Sequence, residues 1–381
     1  MANTNPVIQQ IELYKLLIPL KEPFVISLGP VSNAESVIVV IKTNHGITGY
    51  GECSPYTSIN GESIDTCFIV GQYFARIMKG KDPLQIKKCI QAMDKIIYGN
   101  SSIKSAFDMA LYDIAAQHAG LPLYKFLGGK NNKTLTTDMT VSIGEPEKMA
   151  ADALKYKEQG FPTIKVKLGE SKEKPARLSR SGGDVERIAA IRKAVGKDIP
   201  LRIDANQGWK VRTAIEILND LEEYNIQHCE EPIARWNFMK LRKVKMNSPI
   251  EIMADETCCD HHDAKRLIDL DACHSINIKL GKSGGIFNAK KMIGLCEKAK
   301  LPMQLGAFME SRLGITAAAH LALCSDDIIH CDFDTPLMFT EDPVSGGVVY
   351  EANGVVKVPE VPGLGASINE EWLGKMESII I

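Results

Sequence analysis

From Thr136 onward the chain repeats one pattern, in which a short apolar run ending in polar residues is followed by an amphipathic helical stretch. Strands that alternate with helices are typical of a parallel sheet with helices packed against it. Eight such runs with seven helical stretches between them favour a closed barrel, although an open parallel sheet with as many strands is an alternative. The runs read TDMTVSI, TIKVKLG, PLRIDANQG, IQHCEEP, IEIMADE, SINIKLG, PMQLGAF and IIHCDFD.

The first third of the chain has a mixed, α+β character. Residues 8–18 and 36–50 have the composition of strands, and the second run contains a hairpin-like turn. Between them, residues 21–35 contain two prolines and a glycine and are predicted to form a long loop. Helical patterns follow near residues 62–80 and 102–119.

Charge and apolar content exclude several classes of partner. The net charge of -2 at pH 7 leaves no basic field for nucleic acid or an anionic membrane. No apolar run approaches the roughly 20 residues of a membrane span, and the start, MANTNPVIQQ, lacks the pattern of a secretory signal. The ten cysteines are scattered without a CxxC pair, as is usual for reduced thiols. We therefore expect a cytoplasmic protein with neither nucleic acid nor membrane as partner.

Acidic residues close three consecutive strand-like runs at a regular interval. Asp204, Glu230 and Asp255 are 26 and 25 positions apart, which is the length of one strand–helix unit. A barrel gathers its active site at the carboxyl ends of its strands, so these side chains should converge. Any one of them alone is equally well a solvated loop charge, but three converging carboxylates require a neutralising cation. All-oxygen ligation favours one Mg²⁺ per site, with Mn²⁺ as a substitute.

Three lysines also lie on strand-like runs. Lys165 and Lys167 are two positions apart and project to one side of their strand, while the apolar residues between and beside them project to the helices. Two buried ammonium groups disfavour each other's protonation, so we expect lysine pKa values lowered toward that of a general base. Lys279 lies four strands further on and therefore across the barrel mouth. Two bases on opposite sides of one carbon can exchange its proton with inversion.

The final run ends in CDFDT, where Asp332 and Asp334 share a face of the strand. A carboxylate pair without a basic neighbour suits a cationic group of a substrate. The alternative is a structural pair at the strand end.

Together these motifs resemble the muconate lactonizing enzyme subgroup of the enolase superfamily, and within it the dipeptide epimerases. The resemblance covers essentially the whole chain, from AESVIV and GYGECSP through TIKVKLG, RIDANQGW, CEEP, MADE and NIKLGKSGG to the terminal GLG. It implies an α/β fold, namely a modified (β/α)7β TIM-type barrel with an N-terminal α+β capping domain that is completed by the C-terminal tail. We place the capping domain at residues 1–130, the barrel at 131–342 and the returning segment at 343–381.

The resemblance also implies roles for individual residues. Lys167 and Lys279 would be the acid/base catalysts with Lys165 in support, and Asp204, Glu230 and Asp255 would bind Mg²⁺, with Glu230 chosen over its neighbour in CEEP. The DxD motif of Asp332 and Asp334 separates dipeptide epimerases from their siblings and would hold the substrate's α-ammonium group. Two capping loops are expected near residues 19–31 and 51–60. Further substrate contacts are expected from Phe24, Ile26, Gly29 and Thr140.

The chain departs from the family at one position. Epimerases that act on alanyl-glutamate carry an Arg where this chain has Gly29. Without that guanidinium, a side-chain carboxylate on the substrate lacks a bidentate partner. We therefore expect an uncharged or hydrophobic C-terminal residue.

The implied activity is Mg²⁺-dependent epimerisation of a small-molecule dipeptide, L-Ala-Xaa, at the α-carbon of its C-terminal residue through an enediolate. One alternative is a sibling activity, such as that of an o-succinylbenzoate synthase, an N-acylamino acid racemase or a cycloisomerase. Another is a non-catalytic, metal-dependent binding protein on the same scaffold. We also expect a homo-oligomer, and a mobile surface loop at residues 170–184, with gating of the site as the alternative for that loop.

Overall fold

The computed structural model describes residues 5–169 and 183–381. Its N-terminal part is built on an antiparallel sheet of strands β1 (Ile8–Ile26), β2 (Gly29–Thr43) and β3 (Thr48–Cys53). Both faces of this sheet are covered. Val37 and Val39 pack with the N-terminal helices, whereas Ile38 and Val40 belong to the core shared with the barrel. Because every second side chain of the strand faces the barrel, the sheet itself packs against the barrel.

The loop predicted at residues 21–35 is wrong, because the structure forms the end of a β-hairpin there. Phe24 pairs with Val31 and Ile26 pairs with Gly29, beyond an irregularity in register after Pro19. Only β1 and β2 pair in this region, so the prolines remove no ladder hydrogen bond. The run FVI supplies the aromatic and β-branched residues that favour strands.

Helix α3 packs very closely on strand β3. A Cβ atom added at Gly51 would lie 1.9 Å from the carbonyl oxygen of Ala106, so only glycine permits this approach. The helix is buried from Ser102 to Ala116 because it lies between the sheet and the barrel. The helices of this part are α1 (Ile64–Met78), α2 (Ile86–Ile96), α3 (Ser101–His118) and α4 (Leu123–Phe126).

Eight parallel strands follow in sequence order, after the short strand β4 (Leu135–Thr136). The first and last strands meet through a parallel bridge between Thr137 and Cys331, and the N–H of Phe333 donates to Oγ1 of Thr137 at 2.9 Å. The sheet therefore closes, and the predicted barrel is confirmed over the open sheet. The strands are β5 (Met139–Val141), β6 (Ile164–Lys167), β7 (Leu201–Asp204), β8 (Ile226–Glu230), β9 (Glu251–Ala254), β10 (Ser275–Ile278), β11 (Met303–Leu305) and β12 (Ile328–Cys331).

Helices fill each of the seven connections between these strands. They are α5 (Pro146–Glu158), α6 (Asp184–Val195), α7 (Val211–Asp220), α8 (Leu241–Lys245), α9 (His261–Asp269), α10 (Leu280–Ser283), α11 (Ile286–Ala299) and α12 (Arg312–Ala322). Among the described residues, no helix combines the length and the apolar character needed to cross a membrane.

The C-terminal segment divides its contacts between the two parts of the molecule. Strand β15 pairs with β4 beside the barrel, whereas β17 pairs with β1 and extends the N-terminal sheet. The domain boundaries after residues 130 and 342 stay a prediction. Of the loop expected at residues 170–184, residues 170–182 lie outside the part of the chain that the structure describes. The elements here are β13 (Val344–Gly346), β14 (Val349–Tyr350), β15 (Val355–Lys357), β16 (Ala366–Ile368), α13 (Glu370–Leu373) and β17 (Ser378–Ile380).

Candidate active site

The strand register brings five of the predicted side chains to the carboxyl end of the barrel. Lys167 lies beside Asp204 on the neighbouring strand, and Asp204 lies beside Glu230 on the next. Asp255 and Lys279 directly follow β9 and β10. All five are buried. The ends of neighbouring strands therefore place these side chains at the carboxyl end of the barrel.

Lys165 links the two carboxylate groups of the site. Its Nζ lies 2.8 Å from Oε2 of Glu230 and 2.8 Å from Oδ2 of Asp332, and 3.3 Å from Oδ2 of Asp204. It thus joins the proposed metal ligands to the DxD motif.

Lys167 and Lys279 bind different carboxylates. Nζ of Lys167 lies 2.6 Å from Oδ2 of Asp204, and Nζ of Lys279 lies 2.8 Å from Oδ2 of Asp255. Each ammonium group also faces an aromatic ring, at 5.8 Å from the centroid of Phe24 and 4.9 Å from that of Phe308 respectively. The two lysines therefore occupy separate ends of one site.

The expectation of a lowered lysine pKa is wrong for Lys165. Burial alone would lower the pKa of Lys165, but Asp332, Glu230 and Asp204 raise it well above its ordinary value. Burial would likewise lower the pKa of Lys279, yet Asp255 and Glu230 raise it. The acidic neighbours outweigh the repulsion between lysines because they are nearer and more numerous.

The predicted metal ligands are of the chemical type that a divalent cation such as Mg²⁺ prefers. Asp204, Glu230 and Asp255 are fully buried and offer oxygen atoms only. Lys165 lies between the first two, and Asp255 bonds to Lys279. Each of the three carboxylates thus has a lysine ammonium group beside it, and this pairing offsets the cost of burying a negative charge. Their role as ligands stays a prediction.

Glu231, the neighbour of Glu230 in CEEP, is occupied elsewhere. One carboxylate oxygen accepts the N–H of Asp255 at 2.7 Å and the other accepts the hydroxyl of Thr257. Burial raises the pKa of Glu231 to about 7. This engagement with backbone and hydroxyl supports Glu230 as the ligand.

Among the described residues, three carboxylates with oxygens within 4.8 Å of one another form one cluster, and it is Asp138, Asp332 and Asp334. Burial and the charge of Asp332 raise the pKa of Asp334 to about 7, and Oδ2 of Asp334 accepts the N–H of Thr140 at 2.7 Å. The expectation that the DxD pair lacks a basic neighbour is wrong, since Lys165 binds Asp332. Lys165 compensates one charge of the cluster, and Asp334 remains available to a cationic group.

Sequence reasoning missed several residues that hold these side chains in place. Strand alternation places Asn277 on the same face as Lys279, two positions before it, but gives no indication of what Asn277 does. Lys282 lies on the one-turn helix α10, where that alternation gives no signal. Asn277 Nδ2 donates to Glu230 Oε1 at 2.8 Å, Lys282 Nζ to the Asp255 carbonyl at 2.6 Å, the Asn206 N–H to Asp204 Oδ1 at 2.9 Å, and Arg202 Nη1 to Asp138 Oδ2 at 2.8 Å.

The hairpin end is fastened over this site. The N–H of Val25 donates to Oγ of Ser142 at 2.6 Å, and Oγ of Ser27 donates to the carbonyl oxygen of Asn206 at 2.7 Å. Phe24 is thereby held beside Lys167. Ile26 is buried two positions on, and Gly29 closes the hairpin with φ +124° and open space where a side chain would begin.

A parallel barrel with buried acids and lysines at the carboxyl ends of its strands is the architecture of a barrel enzyme. The family model described as the mandelate racemase/muconate lactonizing enzyme N-terminal domain matches residues 10–128, and the enolase C-terminal domain-like model matches residues 148–372. The chain belongs to this family of the enolase superfamily, in the muconate lactonizing enzyme subgroup. The resemblance found in the motifs is thereby confirmed.

Several of its relatives are dipeptide epimerases. A D-Ala-D/L-Ala epimerase from Cytophaga hutchinsonii is 58% identical over 375 residues, covering 98% of this chain and 100% of that protein. A hydrophobic dipeptide epimerase from Enterococcus faecalis is 39% identical over 361 residues, covering 94% and 99%. A crystal structure of a C. hutchinsonii dipeptide epimerase with Mg and D-Ala-L-Val matches with a TM-score of 0.95 at 58% identity, covering 98% and 100% of the two chains. These findings agree with the predicted isomerase activity.

Proposed function

We propose that the protein catalyses the Mg²⁺-dependent epimerisation of a dipeptide at the α-carbon of its C-terminal residue. One observation carries the proposal: Lys167 and Lys279 are buried at the barrel mouth and bind different carboxylates, Asp204 and Asp255. This arrangement provides an acid and a base at separate ends of one site. The epimerase activity of the relatives supports the same conclusion.

In this proposal one lysine is neutral and takes the α-proton, and the other is protonated and donates a proton to the opposite face. The two exchange roles with the configuration of the substrate. Asp204, Glu230 and Asp255 would hold Mg²⁺, which when bound offsets the negative charge that develops on the substrate carboxylate. Lys165 keeps the acidic groups around it ionised and in place.

The substrate's α-ammonium group would bind Asp332 and Asp334. Burial would raise the pKa of Asp332, but Lys165 and Lys167 hold it below its ordinary value, so this carboxylate is charged. N-succinyl amino acids and succinylbenzoate have no free α-ammonium group that this motif could bind. The sibling activities are therefore less well matched to this site.

The C-terminal side chain of the substrate would be uncharged, and alanine would be accepted as the first residue. The Phe24 ring presents apolar surface to Lys167, Ile26 shares its face of the strand two positions on, and Gly29 offers no cation. Lys21 could supply one, but its Nζ donates to the carbonyl oxygen of Leu337 at 2.8 Å, away from the lysine pair.

Deuterium incorporation tests the activity directly. L-Ala-L-Ala, L-Ala-L-Val and N-succinyl-L-Arg would each be incubated with the protein and Mg²⁺ in D₂O and followed by mass spectrometry. We expect exchange of one α-proton and formation of the epimer for the dipeptides only. Exchange confined to the succinylated compound would contradict the proposal in favour of a sibling activity, and exchange with none would favour a binding protein.

Two further proposals concern the state of the protein in the cell. All ten cysteines are free and eight are buried, which supports the cytoplasm as its compartment. The exposed side chains of Trp236, Met239 and Met246 on one short segment support a homo-oligomer. Light scattering on the purified protein tests the second, and a monomeric mass would contradict it.

A further inference from the structure

A cavity of about 460 Å³ opens beside the lysine pair, between the end of the β1–β2 hairpin and helix α5. Strand β5 and the segment after Asp334 complete its walls. Nothing in the two-lysine arrangement requires this space, because neither Lys167 nor Lys279 lines it.

Two walls of the cavity contact the proposed site directly. The ring of Phe24 lies 5.8 Å from Nζ of Lys167, and the N–H of Thr140 donates to Oδ2 of Asp334 at 2.7 Å. Burial, Asp152 and then the charge of Asp334 raise the pKa of another wall residue, Tyr156, to about 12. The cavity therefore borders Lys167 through Phe24 and borders Asp334 through Thr140.

The remaining walls combine buried apolar residues with polar residues at the rim, namely Lys21, Glu22, Lys148, Asp152, Lys155 and Gln159. Met139 and Met149 are buried, and Tyr156, Phe161 and Met338 are half-buried.

Several charges at the rim have partners. Lys148 binds Asp152 at 2.8 Å and Glu22 at 3.3 Å, Lys21 bonds to a carbonyl oxygen, and Lys155 is exposed to solvent. Away from this rim, the buried apolar walls decide what the cavity accepts.

We propose that this cavity binds the side chain of the first residue of the dipeptide and selects a long apolar one, such as that of methionine. The inference rests on the proposed function, in which Asp332 and Asp334 hold the α-ammonium group. The first α-carbon is one bond from that nitrogen, so its side chain begins beside the inner wall at Thr140. Pockets of this size accept groups far larger than the methyl of alanine, and each methylene buried there raises binding about fourfold.

The first test compares substrates on the unmodified, Mg²⁺-loaded protein. We expect kcat/KM for L-Met-L-Ala to exceed that for L-Ala-L-Ala about tenfold or more, and to exceed that for L-Gln-L-Ala, whose first side chain has similar length but is polar. A kcat/KM for L-Met-L-Ala equal to or below that for L-Ala-L-Ala would overturn this inference and leave the proposed function intact. Turnover of none of the three would overturn the proposed function, and this inference with it.

The second test fills the cavity. Met338→Trp should lower the ratio of kcat/KM for L-Met-L-Ala to that for L-Ala-L-Ala about tenfold or more, because the indole occupies space that the longer side chain needs. Ile96→Trp, a similar enlargement at an exposed residue of helix α2, should leave the ratio at its original value. An unchanged ratio in Met338→Trp would contradict the assignment. If Met338→Trp fails to fold, the comparison of substrates on the unmodified protein still decides.

Discussion

The ammonium group of Lys167 lies 2.6 Å from Oδ2 of Asp204, the carboxylate that we also propose as a metal ligand. Asp204 accepts a second hydrogen bond at its other oxygen, from the N–H of Asn206. Asp204 is therefore shared between the proposed proton-transfer lysine and the proposed metal site. A neutral Lys167 is the form that can accept a proton.

Replacing either catalytic lysine should abolish epimerisation without unfolding the protein. We expect Lys167→Ala and Lys279→Ala to lower kcat about a hundredfold or more, since each removes an acid/base group. In D₂O, each variant should still exchange the α-proton of one configuration only. Lys298→Ala, at an exposed lysine, is the control and should match the unmodified protein. Full epimerisation by Lys279→Ala would rule out the two-base assignment.

Removal of Mg²⁺ should stop turnover, and its return should restore it. Glu230→Gln should weaken Mg²⁺ binding, measured by titration calorimetry, by more than about tenfold, because it removes one of three anionic ligands. Glu251→Gln, at an exposed acid, should leave the affinity unchanged. Undiminished turnover in protein shown to be free of metal would refute the metal assignment.

The preferred second residue should be apolar rather than acidic. Burying a glutamate side chain against Phe24 and Ile26 without a cationic partner would cost several kcal/mol, on the order of the desolvation of an unpaired polar group. Each methylene of an apolar side chain instead contributes about 0.8 kcal/mol. The measurement is kcat/KM for L-Ala-L-Glu against L-Ala-L-Val, L-Ala-L-Leu and L-Ala-L-Phe. A clear preference for L-Ala-L-Glu would show that another residue supplies the cation.

Substrate affinity should increase with pH around neutrality. The pKa of Asp334 is raised to about 7, and an ammonium group binds the ionised carboxylate, so KM should fall as pH rises through that value. Stability changes in the opposite direction. Between the ordinary pKa and the raised one the native state keeps a proton that the unfolded state has lost, so the free energy of unfolding falls as pH rises.

The Asp334→Asn variant should lose the pH dependence of KM and show a smaller fall in stability, because Glu231, with a pKa also raised to about 7, still contributes to that fall. Asp326→Asn, at an exposed acid, should show both dependences in full. KM and denaturant unfolding measured across neutral pH provide the check. A KM profile that is unchanged in Asp334→Asn would assign the titration to another group.

The close packing of α3 on β3 should make Gly51 intolerant of substitution. Gly51→Ala places a Cβ atom 1.9 Å from the Ala106 carbonyl oxygen, and such overpacking costs about 1–3 kcal/mol or more in the free energy of unfolding. Gly294→Ala, on helix α11 with open space around it, should be neutral or stabilising. Chemical denaturation of both variants measures the difference, and equal stabilities would contradict the close contact.

The barrel and its ring of acids and lysines could be predicted because the side-chain period of two and the strand–helix spacing are local properties of the sequence. The hairpin at residues 21–35 could not be predicted in the same way. Its prolines indicate a loop, and they are compatible with strands here only because, among the described residues, no third strand pairs with this part of the hairpin. The raised pKa of Lys165 could not be predicted either, because it depends on tertiary contacts. It depends on Asp332, which comes from a strand six positions later around the barrel and meets Lys165 only after closure.

Strand β1 continues from the N-terminal sheet to the barrel mouth across the irregularity after Pro19, so Phe24 belongs to the same strand as the core residues of that sheet. A loop can change length by any number of residues, but a paired strand reverses its faces with each single insertion. Inserting one residue between Phe24 and Ile26, where the strands pair again, would place these two side chains on opposite faces, whereas inserting two would keep them on one face. Substrate preference in this architecture can therefore diversify readily by exchange of side chains, and by changes of length only in steps of two.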